Sequence, residues 1–125
     1  MSRWTWIAVL LAVVFFGLAL NNDVYALTSP WHLSWHVVLR KAYSVVAFGL
    51  VGYAGRSAFD DHGVSRNPAW IVLTVAAYSA LIELGQWLAG SNEGFAWNAV
   101  DVACGALGGL LGDLADRALK AVRRQ

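Results

Sequence analysis

Residues Ala69 to Ala89 read AWIVLTVAAYSALIELGQWLA. As a helix this run is long enough to cross a bilayer, which takes about 20 predominantly apolar residues. Two of its side chains do not belong in hydrocarbon, Glu83 and Gln86. An ionised group at the centre of a membrane helix costs at least about 2.5–3.5 kcal/mol, so it turns inward, finds a partner and marks a functional site by default. Outward from this run, three more apolar stretches stand at about Trp4 to Leu20, Trp35 to Ala54 and Trp97 to Leu119. The expected fold is therefore all-α. It is a single transmembrane domain, residues 1–125, built as a four-helix bundle with helices at approximately 4–20, 35–54, 69–89 and 97–119.

Composition agrees. The chain is 58% hydrophobic and 14% charged and carries seven Trp, which is the balance of an integral membrane protein. Most of the Trp residues fall near the ends of the apolar runs and read as interfacial anchors. A net charge of +1 supplies no basic surface, so no nucleic-acid partner is expected. Cys104 is the single cysteine and reads as a small packing residue. Arg3, the following apolar stretch and Val24-Tyr25-Ala26 also resemble a signal peptide cleaved after Ala26. The apolar core exceeds the usual ~7–15 residues of such a segment, which favours a retained first helix.

Lys/Arg placement orients the bundle. Arg3, the pair Arg56 and Arg66, and the group Arg117, Lys120, Arg123 and Arg124 fall on one side of a four-span chain. By the positive-inside bias that side is cytoplasmic, with both termini. The connections Asn21 to Ser34 and Gly90 to Ala96 carry no Lys or Arg and fall outside. Arg40 and Lys41 break the bias by opening the second helix on the outer side.

Depth explains that exception. At about 1.5 Å of rise per residue, Glu83, Asp101, Arg40 and Lys41 all lie roughly 6–9 Å below the outer helix ends. Faces match as well: Ser79, Glu83 and Gln86 form one stripe, His36, Arg40, Tyr43 or Ser44, and Ala47 a second, and Asn98, Asp101, Gly105, Gly108 and Gly112 a third. Three polar stripes imply a cleft opening outward, with Glu83 against Arg40 or Lys41 and Asp101 beside them. The bland alternative is an ion-pair lock. Gly105-x-x-x-Gly109 and Gly108-x-x-x-Gly112 permit close helix packing within the chain or, as a homo-oligomer, between copies. His32 and His36 are one turn apart, but no further ligand converges on them; neither a metal nor a cofactor is expected.

Arg40-Lys41, Glu83-x-x-Gln86, Asp101, Gly108 and Gly112 together resemble the VanZ-like family of small bacterial membrane proteins. That family is named for a protein associated with resistance to the glycopeptide teicoplanin. The likeness runs from about His36 to Gly112. Two positions depart from the family pattern: Ser44 stands where a histidine is frequent, and Gly105 where Asn or Asp is. Tyr43 and His36 are the nearest substitutes for that imidazole. The resemblance implies a multi-pass protein of the bacterial cytoplasmic membrane and a link to glycopeptide resistance. The residues themselves point to an amphiphile as partner, a lipid, lipid-linked glycan or lipoglycopeptide. Arg40, Lys41, Glu83, Gln86 and Asp101 would bind it, with His36, Tyr43, Ser44 and Asn98 as further candidates. Two other functions fit the same residues: a structural or accessory subunit of a membrane complex, and an intramembrane enzyme using Glu83 and Asp101 as an acid–base pair.

Overall fold

The structure, a computed structural model, describes residues 2–20, 36–90 and 95–125, and the side chains of 2–20, 39–90 and 99–125. The signal-peptide cleavage point, His32 and the rest of the first connection, and residues 91–94 lie outside the described residues. Four helices make up the described chain: α1 Arg3–Leu20, α2 His36–Asp61, α3 Pro68–Leu88 and α4 Phe95–Arg123. The described residues hold no strand. Two of the helices, α1 and α3, are long and apolar enough to cross a membrane by length and composition.

Local chemistry sets the ends. Asn67 caps α3, its Oδ1 accepting the Ala69 N–H at 3.0 Å, and Pro68 occupies the first turn, where a missing N–H costs nothing. At the end of α2 the chain passes through Gly63 at φ +72°, a left-handed position that glycine takes without strain. There the Val64 N–H reaches back to the Phe59 carbonyl at 2.9 Å. The second and fourth helices outrun their expected ends, reaching Asp61 rather than 54 and Arg123 rather than 119. The reason is that Arg56–Asp60, Asp113–Arg117 and Asp116–Lys120 are i,i+4 ion pairs, which support a helix where composition alone suggested a loop or tail.

Consecutive helices run in opposite directions. The termini and the α2–α3 turn therefore share one end, here the termini end, and residues near Leu20, Arg40, Gln86 and Asp101 share the far end. Helix α4 packs extensively on both α2 and α3, while α2 and α3 touch little; α1 covers α2 and α3 from the side opposite α4. Glycines make α4 the centre, two on each flank. A Cβ on Gly105 or Gly109 would press on Ser79 and Val75 of α3, and one on Gly108 or Gly112 would press on the backbone of α2 at Phe48, Gly49 and Gly52. Both small-residue patterns thus serve packing within the chain.

The polarity of the bundle is inverted relative to a water-soluble one. Lys41, Arg56, Ser57, Ser79, Asp101, Asp113 and Asp116 are buried, whereas Leu10, Val13, Val46, Leu73, Leu81, Leu88 and Leu114 are exposed. The apolar core is a short column of Phe48, Val51, Ile71, Val75 and Ile82, against which Leu11, Phe15, Phe16 and Ala19 of α1 rest. No residue of α1 is itself buried.

The helix contact is testable. In Gly112→Ala the new methyl would lie 2.6 Å from the Gly52 carbonyl carbon and 2.7 Å from the Gly49 oxygen. Forcing α2 and α4 apart should cost about 1–3 kcal/mol, the range for overpacking. Gly17→Ala meets nothing within 4 Å and should leave stability unchanged or slightly raised. Thermal unfolding in detergent, followed by circular dichroism, checks both; equal behaviour would deny the close approach.

Candidate functional site

At the far end, three helices contribute polar groups to a cavity of about 220 Å³. Helix α2 supplies Arg40, Tyr43 and Ser44, α3 supplies Glu83 and Gln86, and α4 supplies Asp101. The remaining wall is apolar: Phe15, Leu18 and Ala19 from α1, Ala47 and Phe48 from α2, and Ile82 from α3. Helical spacing accounts for the convergence. Arg40, Ser44 and Ala47 repeat at i, i+4, i+7 on α2, as Ser79, Glu83 and Gln86 do on α3.

Hydrogen bonds hold this set in place. The Lys41 ammonium, itself outside the cavity lining, donates to Asp101 Oδ1, and both residues are buried. Ser79 Oγ donates to the Asp101 carbonyl at 2.9 Å, so Asp101 is held by its side chain to α2 and by its backbone to α3. Glu83 lies within hydrogen-bond reach of Asp101, with the charges of Lys41 and Arg40 close by. Gln86 Nε2 donates to the Ala19 carbonyl at 2.9 Å, closing the end of α1 onto α3. Ser44 Oγ donates back to the Arg40 carbonyl at 3.1 Å. Of the expected residues, Arg40, Tyr43, Ser44, Glu83, Gln86 and Asp101 therefore line one cavity, and Lys41 stands behind it. Lys41 pairs with Asp101, and Glu83 lines the same cavity as Asp101. His36 and Asn98 lie in the first turns of α2 and α4; their side chains are outside the described residues. Among the described residues no three His, Cys, Asp or Glu side chains are arranged to hold a metal ion.

A second polar cluster, at the termini end, went unanticipated. Arg56 is fully buried, and its guanidinium donates to Asp60 Oδ1 at 2.8 Å, to the Ser65 carbonyl at 3.2 Å and, more weakly, to the Val64 carbonyl. It thereby ties the α2–α3 turn to α2. Asp116, also buried, accepts from Ser57 Oγ at 2.9 Å and pairs with Lys120 at 3.0 Å and Arg66 at 3.4 Å. Asp113 Oδ2 takes Arg117 Nε at 2.7 Å. Its Oδ1 is buried without a hydrogen bond, the Arg56 Nε lying 4.0 Å away. The signal was present in sequence as two charge-matched stretches, Arg56-Ser57-x-x-Asp60 and Asp113-x-x-Asp116-Arg117-x-x-Lys120. Read separately, these appear as a polar loop and a basic tail. These contacts fasten the ends of α2 and α4 to each other and to the α2–α3 turn.

No protein-family model matches the chain, and no curated protein or solved structure matches it. The reading of the far-end cavity therefore rests on its own geometry.

Two groups of the termini-end cluster lie beyond the apolar runs and titrate against opposite limits. Burial pushes the Asp60 carboxyl up, but hydrogen bonds from Lys120 and Arg56 and their charge outweigh it and hold Asp60 below its ordinary value. Burial pushes Lys120 down, and its bonds to Asp60 and Asp116 more than offset this, leaving it raised. A lowered carboxyl stabilises the fold above its ordinary titration range, and that stability is lost as pH falls through the lowered value. A raised ammonium stabilises below its ordinary range, and that stability is lost as pH rises through the raised value. Thermal stability against pH should thus be level near neutrality and fall at both extremes. Lys120→Met should shift the acid limb to higher pH, because Asp60 loses its principal partner; an unmoved acid limb would contradict the coupling.

Proposed function

We propose that this chain is a VanZ-like, multi-pass protein of a bacterial cytoplasmic membrane, with four spans and both termini in the cytoplasm. In this reading it binds an amphiphile at the far-end cavity, in the outer leaflet. One observation carries the proposal: Arg40, Ser44, Glu83, Gln86 and Asp101, drawn from three helices, face one cavity whose opposite wall is apolar. Such a lining matches a ligand with a polar head joined to hydrocarbon. Arg40 would meet an anionic group, and Glu83 and Gln86 would take hydroxyl or amide hydrogens.

Membrane residence is supported by the inverted polarity of the bundle. With water as solvent, so many exposed Leu and Val side chains over buried Arg, Lys and Asp would be costly; with lipid as solvent the arrangement is the favourable one. The charge bias supports the orientation, since Arg3, Arg66, Arg117 and Arg124 all belong to the termini end. A second reading draws on the buried Lys41–Asp101 pair: the far-end charges would be a lock, in a structural or accessory subunit of a membrane complex.

Two measurements decide. A C-terminal alkaline phosphatase fusion should be inactive in the periplasm; activity there would reverse the orientation. Purified protein should bind fluorescent phosphatidylglycerol, and Arg40→Ala should weaken binding about tenfold, the effect of roughly 1.4 kcal/mol, while eluting as folded protein on size exclusion. Equal binding by both proteins would favour the lock, and a stoichiometric partner co-purifying from native membranes would identify the complex.

A further inference from the structure

A second cavity, of about 270 Å³, lies between α1, α2 and α3 toward the termini end. Its polar lining groups are all engaged elsewhere. Tyr78 Oη donates to the Ala12 carbonyl at 2.6 Å, Thr74 Oγ1 donates to the Trp70 carbonyl at 2.7 Å, and Thr5 Oγ1 and His62 Nε2 bond to each other at 2.9 Å across the mouth. The rest of the lining is apolar, so the chamber suits hydrocarbon better than water.

The chamber exists because the seam is underfilled. Where α1 and α2 line this space their side chains include the small Ala8 and Ala12 from one helix and Ala58 from the other. The far-end cavity occupies the same seam: Ala12 of one and Phe15 of the other are one turn apart on α1, and Ala47 and Val51 likewise on α2. Phe48 lines one space and Tyr78 the other, and their rings stand edge-on between the two with centroids 6.0 Å apart. From Glu83 to Ile71 the seam runs about 18 Å at 1.5 Å per residue, close to the ~15 Å of one leaflet's hydrocarbon.

We infer that the two cavities are the head and tail compartments of one site, and that its ligand carries an acyl chain lying under α1 as far as the Thr5–His62 closure. This rests on the amphiphile reading above and adds the chain length. The occupant is a lipid with an anionic head and a tail of about one leaflet's length, which passes beside the Phe48–Tyr78 pair along α1.

Two phosphatidylglycerol probes test it without altering the protein, one with a diazirine at the end of a palmitoyl chain and one with the diazirine beside the glycerol. After photolysis in nanodiscs, peptide mass spectrometry locates the label. The terminal diazirine should mark Ala8 or Ala58, and the glycerol-side diazirine Leu18 or Ala47. Arg40→Ala should reduce both labels about tenfold, and Ala8→Phe, which fills the tail chamber, should remove the first alone. If the terminal diazirine marks only the exposed Leu10, Val13 and Leu73 while the glycerol-side label stays Arg40-dependent, the tail compartment is refuted and the head site stands. If neither label depends on Arg40, the amphiphile reading fails with it. Chamber labelling that survives Arg40→Ala would show the two spaces to be separate sites, overturning the single-ligand inference.

Discussion

The close approach of α2 and α4 is the constraint on which the rest of the molecule depends. Gly49 and Gly52 on one helix meet Gly108 and Gly112 on the other, and backbone lies against backbone. Only at that separation can Lys41 reach Asp101 at the far end while Ser57 reaches Asp116 at the termini end. The glycine contact and the two polar fastenings support one another. Residues without side chains bring the helices together, and buried charges at either end set the register. Slipping one helix along the other would break the buried Lys41–Asp101 pair and the Ser57–Asp116 hydrogen bond, and breaking a buried ion pair costs several kcal/mol.

The flanks of α4 divide this task. Gly105 and Gly109 admit α3 and bring Ser79 to the Asp101 backbone, so Asp101 is held by two neighbours at once. Glu83, one turn beyond Ser79, then arrives beside Asp101. The far-end cavity is thus a consequence of how α4 is gripped, and its polar wall is braced by bonds the packing requires.

Helix α1 stands apart in kind. It buries none of its own residues and is fastened by Trp4 edge-on to Tyr53, by Tyr78 on the Ala12 carbonyl and by Gln86 on the Ala19 carbonyl. Both cavities lie beneath it. Small residues on its inner stripe, Ala8, Ala12 and Ala19, leave space where larger ones would have completed the core. Leu11, Phe15 and Phe16 rest on the core beside these spaces, so α1 is held by packing as well as by its polar contacts.

The helices, their approximate limits and their alternating directions were legible in the amino-acid sequence, because long apolar runs separated by polar connections are written residue by residue, although among the described residues only α1 and α3 are long and apolar enough to cross a membrane. So was much of the far-end polar set: depth places Arg40, Lys41, Glu83 and Asp101 at one level and spacing puts Glu83 and Gln86 on one stripe, although Lys41 stands behind the cavity and not in its lining. Pairing was not legible. Nothing local says that Lys41 reaches Asp101 of a distant helix; that contact follows from the close approach of α2 and α4. The termini-end cluster was hidden for the same reason, because Arg56 reads as a loop residue until Asp113 and Asp116 of a helix about sixty residues away close over it. The space under α1 was the least legible feature of all. A cavity is the volume that neighbours fail to fill, and only the tertiary arrangement brings Ala8 and Ala12 of α1 and Ala58 of α2 to line one space.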